Sequence, residues 1–403
     1  MKNSTRRAAG AASLVLLAGV ALSACSAGGG SEGSDTTLTI WDGFTQYDAS
    51  SPYGTLLSSC EASTGVTLER TSDPDLTTKL LQAASSKTTP NLVILDNPNV
   101  AKFADTGLLV DNGTSGLDTS DVLPNVLAAG RLDGKTYGSS IGSNTLALFY
   151  NKDLFDAAGI TPPTTWDELT AAAASLTSGD VKGIGFSANA SEEGTFQFLP
   201  FFWGSGATLE DISSDDAVSA LALWTDLVKA GSASQANVNS NQQDVRDQFL
   251  AGKLGMMVNG TWQLSALDEA GMNYGVVPLP AKDGGAAPSP LGGEFIEVVT
   301  ADDAKQKLAT EFAQCVIEPD SLKAWAAGQS YIMPYADAAA DQATEDPALE
   351  PWVEAITVAQ GRTSDLGVAY PDTSKALYTA IQEALTGSKT PQAALDDAAA
   401  SLK

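Results

Sequence analysis

The hydrophobic pattern opens with one continuous block. Residues 8–21 are almost all small or aliphatic and follow a basic start of Lys2, Arg6 and Arg7. That block is too short to span a bilayer comfortably, and its order of charge then apolar residues is that of a secretory signal. No later run of 18 or more apolar residues occurs, so the rest is expected to be exported as a soluble body. From residue 37 the pattern alternates. Strands are expected at 37–41 (TLTIW), 65–70 and 91–95 (NLVIL), with helices at 52–63, 73–86 and 100–105 between and after them. This β-α-β-α-β order predicts an open α/β sheet with largely parallel strands.

Further along, strands are expected at 146–150, 183–187 and 274–279. Helical periodicity marks Trp166–Leu176, where Thr165 is the N-cap candidate and Glu168 completes a capping-box pattern. Residues 217–230 form an amphipathic helix through Leu221, Trp224, Leu227 and Val228. Residues 249–258 (FLAGKLGMMV) pass from a helix end into a strand, and 278–293 is a Pro/Gly-rich loop. Helices are then expected at 301–317, 320–328, 351–359, 374–386 and 391–400.

Composition narrows the chemistry. The 403 residues include 22 Lys+Arg, 49 Asp+Glu and no His, a formal net charge of −27. Without histidine there is no Ser-His-Asp or Cys-His machine and no His-ligated metal. Such an acidic chain repels nucleic-acid phosphates and anionic lipid heads. Three cysteines make neither a disulfide-rich scaffold nor a CxxC zinc site. No metal and no cofactor is expected.

The signal ends in Leu22-Ser23-Ala24-Cys25, which resembles the lipobox of bacterial lipoproteins. The resemblance implies cleavage after residue 24 and lipidation of Cys25, anchoring the chain to the outer face of the bacterial cytoplasmic membrane. Two or more acyl chains hold a protein there stably. Residues 25–37 are then the lipidated cysteine and a Gly/Ser tether. Cys60 and Cys315 each sit on an apolar helical face in an oxidising compartment. They either form a disulfide or remain two buried thiols.

The run from Asp133 to Leu169 carries a more specific likeness. It contains Tyr150-Asn151-Lys152-Asp153-Leu154-Phe155 and Pro162-Pro163-Thr164-Thr165-Trp166-Asp167-Glu168-Leu169. Phe249 to Trp262 adds an FxxGKxxMxxxGxW pattern. Together these resemble the extracellular solute-binding proteins of carbohydrate ABC importers, the family that includes maltose-binding protein. The resemblance implies a two-lobed periplasmic-binding-protein-like α/β fold with three interlobe crossing segments and a ligand cleft. By position, the crossings are expected near 142–144, 290–292 and 344–346. The N-terminal lobe is then 38–142 plus 292–343, and the C-terminal lobe 143–291 plus 344–403.

A sugar offers hydroxyls at its edge and apolar C–H faces, so its site needs carboxylates, amides and flat aromatic surfaces. Trp41, Asp42, Phe44, Thr45 and Gln46 lie at the end of the first strand, where open α/β sheets bind ligands. Asp96, Asn97 and Asn99 follow the 91–95 strand in the same way. By the resemblance, Trp262 matches a tryptophan that stacks on the sugar, and Asn144 matches an acidic sugar contact. Glu193 and Phe196 are expected in a contact loop (SEEGTF), and Phe198, Phe201, Phe202 and Trp203 mostly in the core. Gly293 and Glu294 lie at the second crossing, and Tyr331, Arg362 and Tyr370 in later loops. Residues 95, 98 and 99 depart from the maltose-binding pattern, which counts against maltose itself.

The function implied is capture of a sugar or oligosaccharide by hinge closure and delivery to an ABC permease, by a monomer without catalysis. A binding protein for a polyamine or peptide is the alternative. An exported glycosidase fits less well, because neither a GxSxG element nor a metal cluster marks a reacting group.

Overall fold

The computed structural model describes residues 36–403, so the signal, Cys25 and nearly all of the tether lie outside the described residues. In chain order the strands are β1 (Thr37–Asp42), β2 (Thr67–Ser72), β3 (Leu92–Asp96), β4 (Arg131–Leu132), β5 (Lys135–Thr136) and β6 (Ser139–Ser140). They continue as β7 (Leu146–Asn151), β8 (Lys182–Gly185), β9 (Leu254–Gly260), β10 (Tyr274–Val277) and β11 (Glu294–Val298). Two sheets carry the architecture. The first has the order β2-β1-β3-β11-β6, the second β10-β7-β9-β8, and β4-β5 is a small hairpin.

The expected parallel pairing holds only in part. β1 pairs parallel with β2 and β3, but β11 runs antiparallel to both β3 and β6. In the second sheet β7 is antiparallel to β9 and β10, and only β8-β9 is parallel. The reversal has a simple cause. β11 reaches the first sheet from the second, so it enters from the opposite end to β1 and β3.

The chain passes from the first sheet to the second between β6 and β7, and returns between β10 and β11. These passages lie side by side: Asn144 N–H donates to Gly292 O at 3.2 Å, and Gly292 N–H to Asn144 O at 2.8 Å. The backbone around 344–346, where a third crossing is expected, is the end of a helix and the turn after it. Helices Ala336–Glu345 and Glu350–Thr357 flank it, and Trp352 of the second is tilted against Phe149 of β7 at 5.5 Å. Ala-rich 336–345 buries little beyond Ala339 and Gln342, which is why no apolar period marks it.

Helix Pro52–Thr64 lies on the first sheet and is capped by Ser51, with Gly65 in the left-handed conformation ending it. Cys60 on this helix bonds Cys315 on helix Asp303–Ile317, with Cα atoms 5.7 Å apart. Of the two alternatives read from sequence, the structure therefore holds the disulfide. Helix Trp166–Leu176 begins at Thr165, whose hydroxyl accepts from Glu168 N–H. Trp166 is core: it is buried and donates to Pro280 O at 3.0 Å.

One local expectation is overturned. The SEEGTF segment is not a loop but the first turns of helix Glu192–Gly204, capped by Ser191. Gly194 through Trp203 are all buried, so the helix has no polar face and no amphipathic period to read. Phe198 and Phe201 pack edge-on against Trp224, and Phe202 against Phe198, in the core of this half. β11 was hidden for the converse reason. Its charged Glu294 and Glu297 argue against a central strand, yet Glu297 is fully buried.

Candidate functional site

A cleft of about 520 Å³ opens where the two passages run together. A smaller groove of about 360 Å³ adjoins it on the first-sheet side, sharing Gln46, Asp96 and Glu294. The floor is backbone. Gly293 has φ +106°, and a Cβ there would lie 2.2 Å from Gly142 O, so only glycine lets the two passages touch.

The second-sheet wall is aromatic. Phe196 projects from the second turn of helix Glu192–Gly204, and Trp262 from the short turn Thr261–Gln263 that follows β9. Their ring centroids are 6.3 Å apart at 44°. A Cβ on Gly260 would sit 2.2 Å from the Trp262 ring, so the strand must end in glycine for the indole to fold back over it. Glu193, beside these rings, is held in place. Its Oε1 accepts from Ser187 Oγ at 2.6 Å, Asn189 Nδ2 at 3.0 Å and Gln242 N–H at 3.0 Å.

Arg362 ties the two halves together across the floor. Its Nη2 donates to Asp96 Oδ1 at 2.8 Å, at the end of β3, and its Nη1 donates to Glu192 Oε1 at 2.8 Å. The guanidinium also lies over the Phe196 ring, 4.9 Å from its centroid. Burial works against the charge, but Asp96 and Glu192 outweigh it and raise the Arg362 pKa above its ordinary value. Behind it, Tyr370 donates to Glu192 Oε1 at 2.6 Å and Ser374 donates to Glu192 Oε2.

The first-sheet wall carries Glu294, which faces Asp96 in the β11-β3 register. Burial, together with the Asp96 charge, pushes its carboxyl up to about 8. Tyr331 donates to Glu294 Oε2 at 3.3 Å. Asp96, half-exposed to the cleft, is also raised, by lost hydration first, with Arg362 opposing. Tyr47 lines this side as well and donates to Gln329 Oε1.

Not every residue singled out from the sequence faces the cleft. Gln46, Asp96, Asn144, Glu193, Phe196, Trp262, Gly293, Glu294, Tyr331 and Arg362 line it, while Phe44 and Asn99 line the adjoining groove. Asp42 does not. It is fully buried, receives Arg70 Nε at 2.6 Å and Phe44 N–H at 2.9 Å, and so serves the first wall from behind. Trp41 points the other way along β1, with Lys79 Nζ 4.9 Å from its ring. Thr45 is exposed and outside both grooves. Asn97 is buried and donates to Leu291 O and Gly293 O, bracing the second passage. Tyr370 lies behind Glu192 and is fully buried.

The sequence reading missed Glu192, Tyr47, Gln242, Gln243, Arg246, Gln263 and Gln329, all of which line the cleft. Ser191 before two glutamates was a legible helix start, and it would have placed Glu192 and Phe196 four apart on one face. The glutamines carried no comparable signal. Among the described residues no group of three or more Cys, Asp or Glu side chains is arranged to hold a metal ion, and no helix is long and apolar enough to cross a membrane.

Comparison with known proteins identifies the family and the fold. A binding protein of Brucella abortus (strain 2308) is 33% identical over 166 residues, 38% of this chain and 40% of its own length. The match thus spans about two fifths of that relative. The maltotriose-binding protein of Pyrococcus abyssi (strain GE5 / Orsay) is 26% identical over 269 residues, 64% of this chain and 58% of its own. Among solved structures, the cyclic alpha-maltosyl-1,6-maltose binding protein of Arthrobacter globiformis superimposes with a TM-score of 0.77 at 26% identity, covering 91% of this chain and 97% of that one. The family profile described as bacterial extracellular solute-binding protein matches residues 55–351. The chain belongs to the bacterial extracellular solute-binding proteins.

Proposed function

We propose that this protein captures a sugar or oligosaccharide outside the cytoplasm and delivers it to the permease of an ABC transporter. The observation that carries this is the pairing of chemistries in one cleft. Phe196 and Trp262 offer apolar ring faces, while Asn144, Glu193, Glu294 and Arg362 offer donors and acceptors around them. A sugar needs both, because its C–H faces and its hydroxyl edge must be met together. The relatives named for maltotriose and cyclic maltosyl-maltose support the same ligand class.

In this reading the lobes are 38–142 plus 292–343 and 143–291 plus 344–403. They hinge about the passages at 142–144 and 290–292 and about the helical third connection. Ligand that touches both walls favours the closed state, so binding shifts the population. Cleavage before Cys25 and its lipidation tether the protein, as a monomer, to the outer face of the membrane. Cys25→Ser then releases it into the medium, which mass spectrometry and fractionation detect; retention of the variant in the membrane fraction argues against the anchor. The ligand is tested by tryptophan fluorescence against a panel of mono- and oligosaccharides. A saturable response to a sugar supports the reading, and a response to spermidine or short peptides alone overturns it.

A further inference from the structure

One acidic group of the cleft lacks an ion-pair partner of its own among the described residues. The cleft and the groove beside it are lined by five carboxylates and two guanidiniums, and by no lysine. Both guanidiniums are already engaged. Arg362 is shared by Asp96 and Glu192, and Arg246 pairs with Asp247 at 2.8 Å, outside the cleft. Of the carboxylates, Asp75 caps a helix by accepting from Thr78 N–H, and Glu193 is held by its three donors.

Glu294 remains. It lines both grooves at their junction, and its described hydrogen bond is the single one from Tyr331. The nearest charge in register is Asp96, of the same sign. A carboxylate so placed is under-stabilised when the cleft is empty, and its raised pKa reports the same deficit. A cation supplied from outside corrects it. The aromatic rings of Tyr47 and Tyr331 line the cleft on the same side and favour a positive charge further. The net charge of −27 over the whole chain adds a field that draws cations in.

We propose that the ligand is a saccharide carrying a protonated amino group, and that its ammonium seats against Glu294. This rests on the reading of the cleft as a sugar site and narrows the sugar. On binding, the Glu294 carboxyl releases its proton to solvent and the ammonium donates to the resulting carboxylate in a charge-assisted hydrogen bond, while the remaining ring meets Phe196 and Trp262.

The test is calorimetry at pH 7 with matched pairs: glucosamine, galactosamine and mannosamine and their oligomers, each against its neutral parent sugar. The expected result is at least one pair in which the amino form binds at least about tenfold tighter, the scale of one charge-assisted hydrogen bond. In Glu294→Gln that ratio collapses to within about twofold, with folding confirmed by thermal melting. The ratio in the unsubstituted protein decides the matter even where the variant does not fold. Neutral sugars binding as tightly as their amino forms overturns the proposal and leaves the sugar site standing. Failure of every saccharide, charged or neutral, overturns the sugar reading itself, and the proposal with it.

Discussion

Arg362→Met removes a cation that joins the two walls, and its cost follows from the geometry. The Arg362 side chain keeps only 4% of its exposure and makes charge-assisted hydrogen bonds of 2.8 Å to both Asp96 and Glu192. Removing one member of a buried ion pair costs about 3–5 kcal/mol, mostly because the remaining charge is left unpaired. Here Asp96 and Glu192 retain 45% and 38% exposure, so water in the cleft offsets part of that penalty. A loss of about 2–4 kcal/mol is expected. With a urea slope on the order of 3 kcal/mol per M, the midpoint falls by about 1 M. Methionine keeps much of the side-chain length and bulk but not the charge, including the guanidinium's charge over the Phe196 ring, so the loss reports mainly charge. The triple variant Asp96→Asn, Glu192→Gln, Arg362→Met removes all three charges together. It is expected to recover most of the loss, because neutralising a whole buried network is far less costly than breaking it. A single variant within about 0.5 kcal/mol of the parent refutes this account of the cleft floor, as does a triple variant no better than the single one.

Three further outcomes follow. Trp262→Ala removes one ring of the aromatic wall and should weaken sugar binding about 10–30-fold while leaving the melting temperature nearly unchanged, which fluorescence titration and melting together check. Replacing Cys60 and Cys315 by alanine opens a link spanning 255 residues and should cost about 2–5 kcal/mol; a melting temperature unaffected by reduction contradicts it. Glu294→Gln should change the pH profile of stability. The carboxyl sits at about 8 in the folded chain against an ordinary 4.5, so the folded state holds the proton more tightly than the unfolded one. Stability is therefore full below pH 4.5 and lost as pH rises through about 8, by on the order of 5 kcal/mol at most. Glutamine cannot ionise, so the variant should match the parent at pH 5 and exceed it in melting temperature at pH 9; a constant difference contradicts the assignment.

Legibility in the sequence followed the solvent boundary. Helix Trp166–Leu176, with one buried face and a Thr165 cap, was readable to the residue. Helix Glu192–Gly204 was not, because burial on every side erased its period. Strand β11 was concealed by Glu294 and Glu297, whose carboxyls are pushed by burial toward the neutral form. The site divided in the same way. Aromatic and glycine positions such as Trp262 and Gly293 carry a local signal. Asp42 and Asn97 sit at strand ends like ligands, but long-range partners (Arg70, and the backbone of residues 291 and 293) claim them. Pairings across hundreds of residues leave no trace in local spacing. The Arg362 triad joins positions 96, 192 and 362, and only the fold brings them together.

The central claim is that this cleft holds a sugar. Its most direct test is a tryptophan-fluorescence titration of the untethered protein with a panel of mono- and oligosaccharides, amino sugars included. Trp262 lines the cleft, so a sugar seated there should change the emission saturably, with one site per chain, and the change should be lost in Trp262→Ala. A folded protein whose emission answers to no saccharide, or answers only to spermidine or peptide, contradicts the claim.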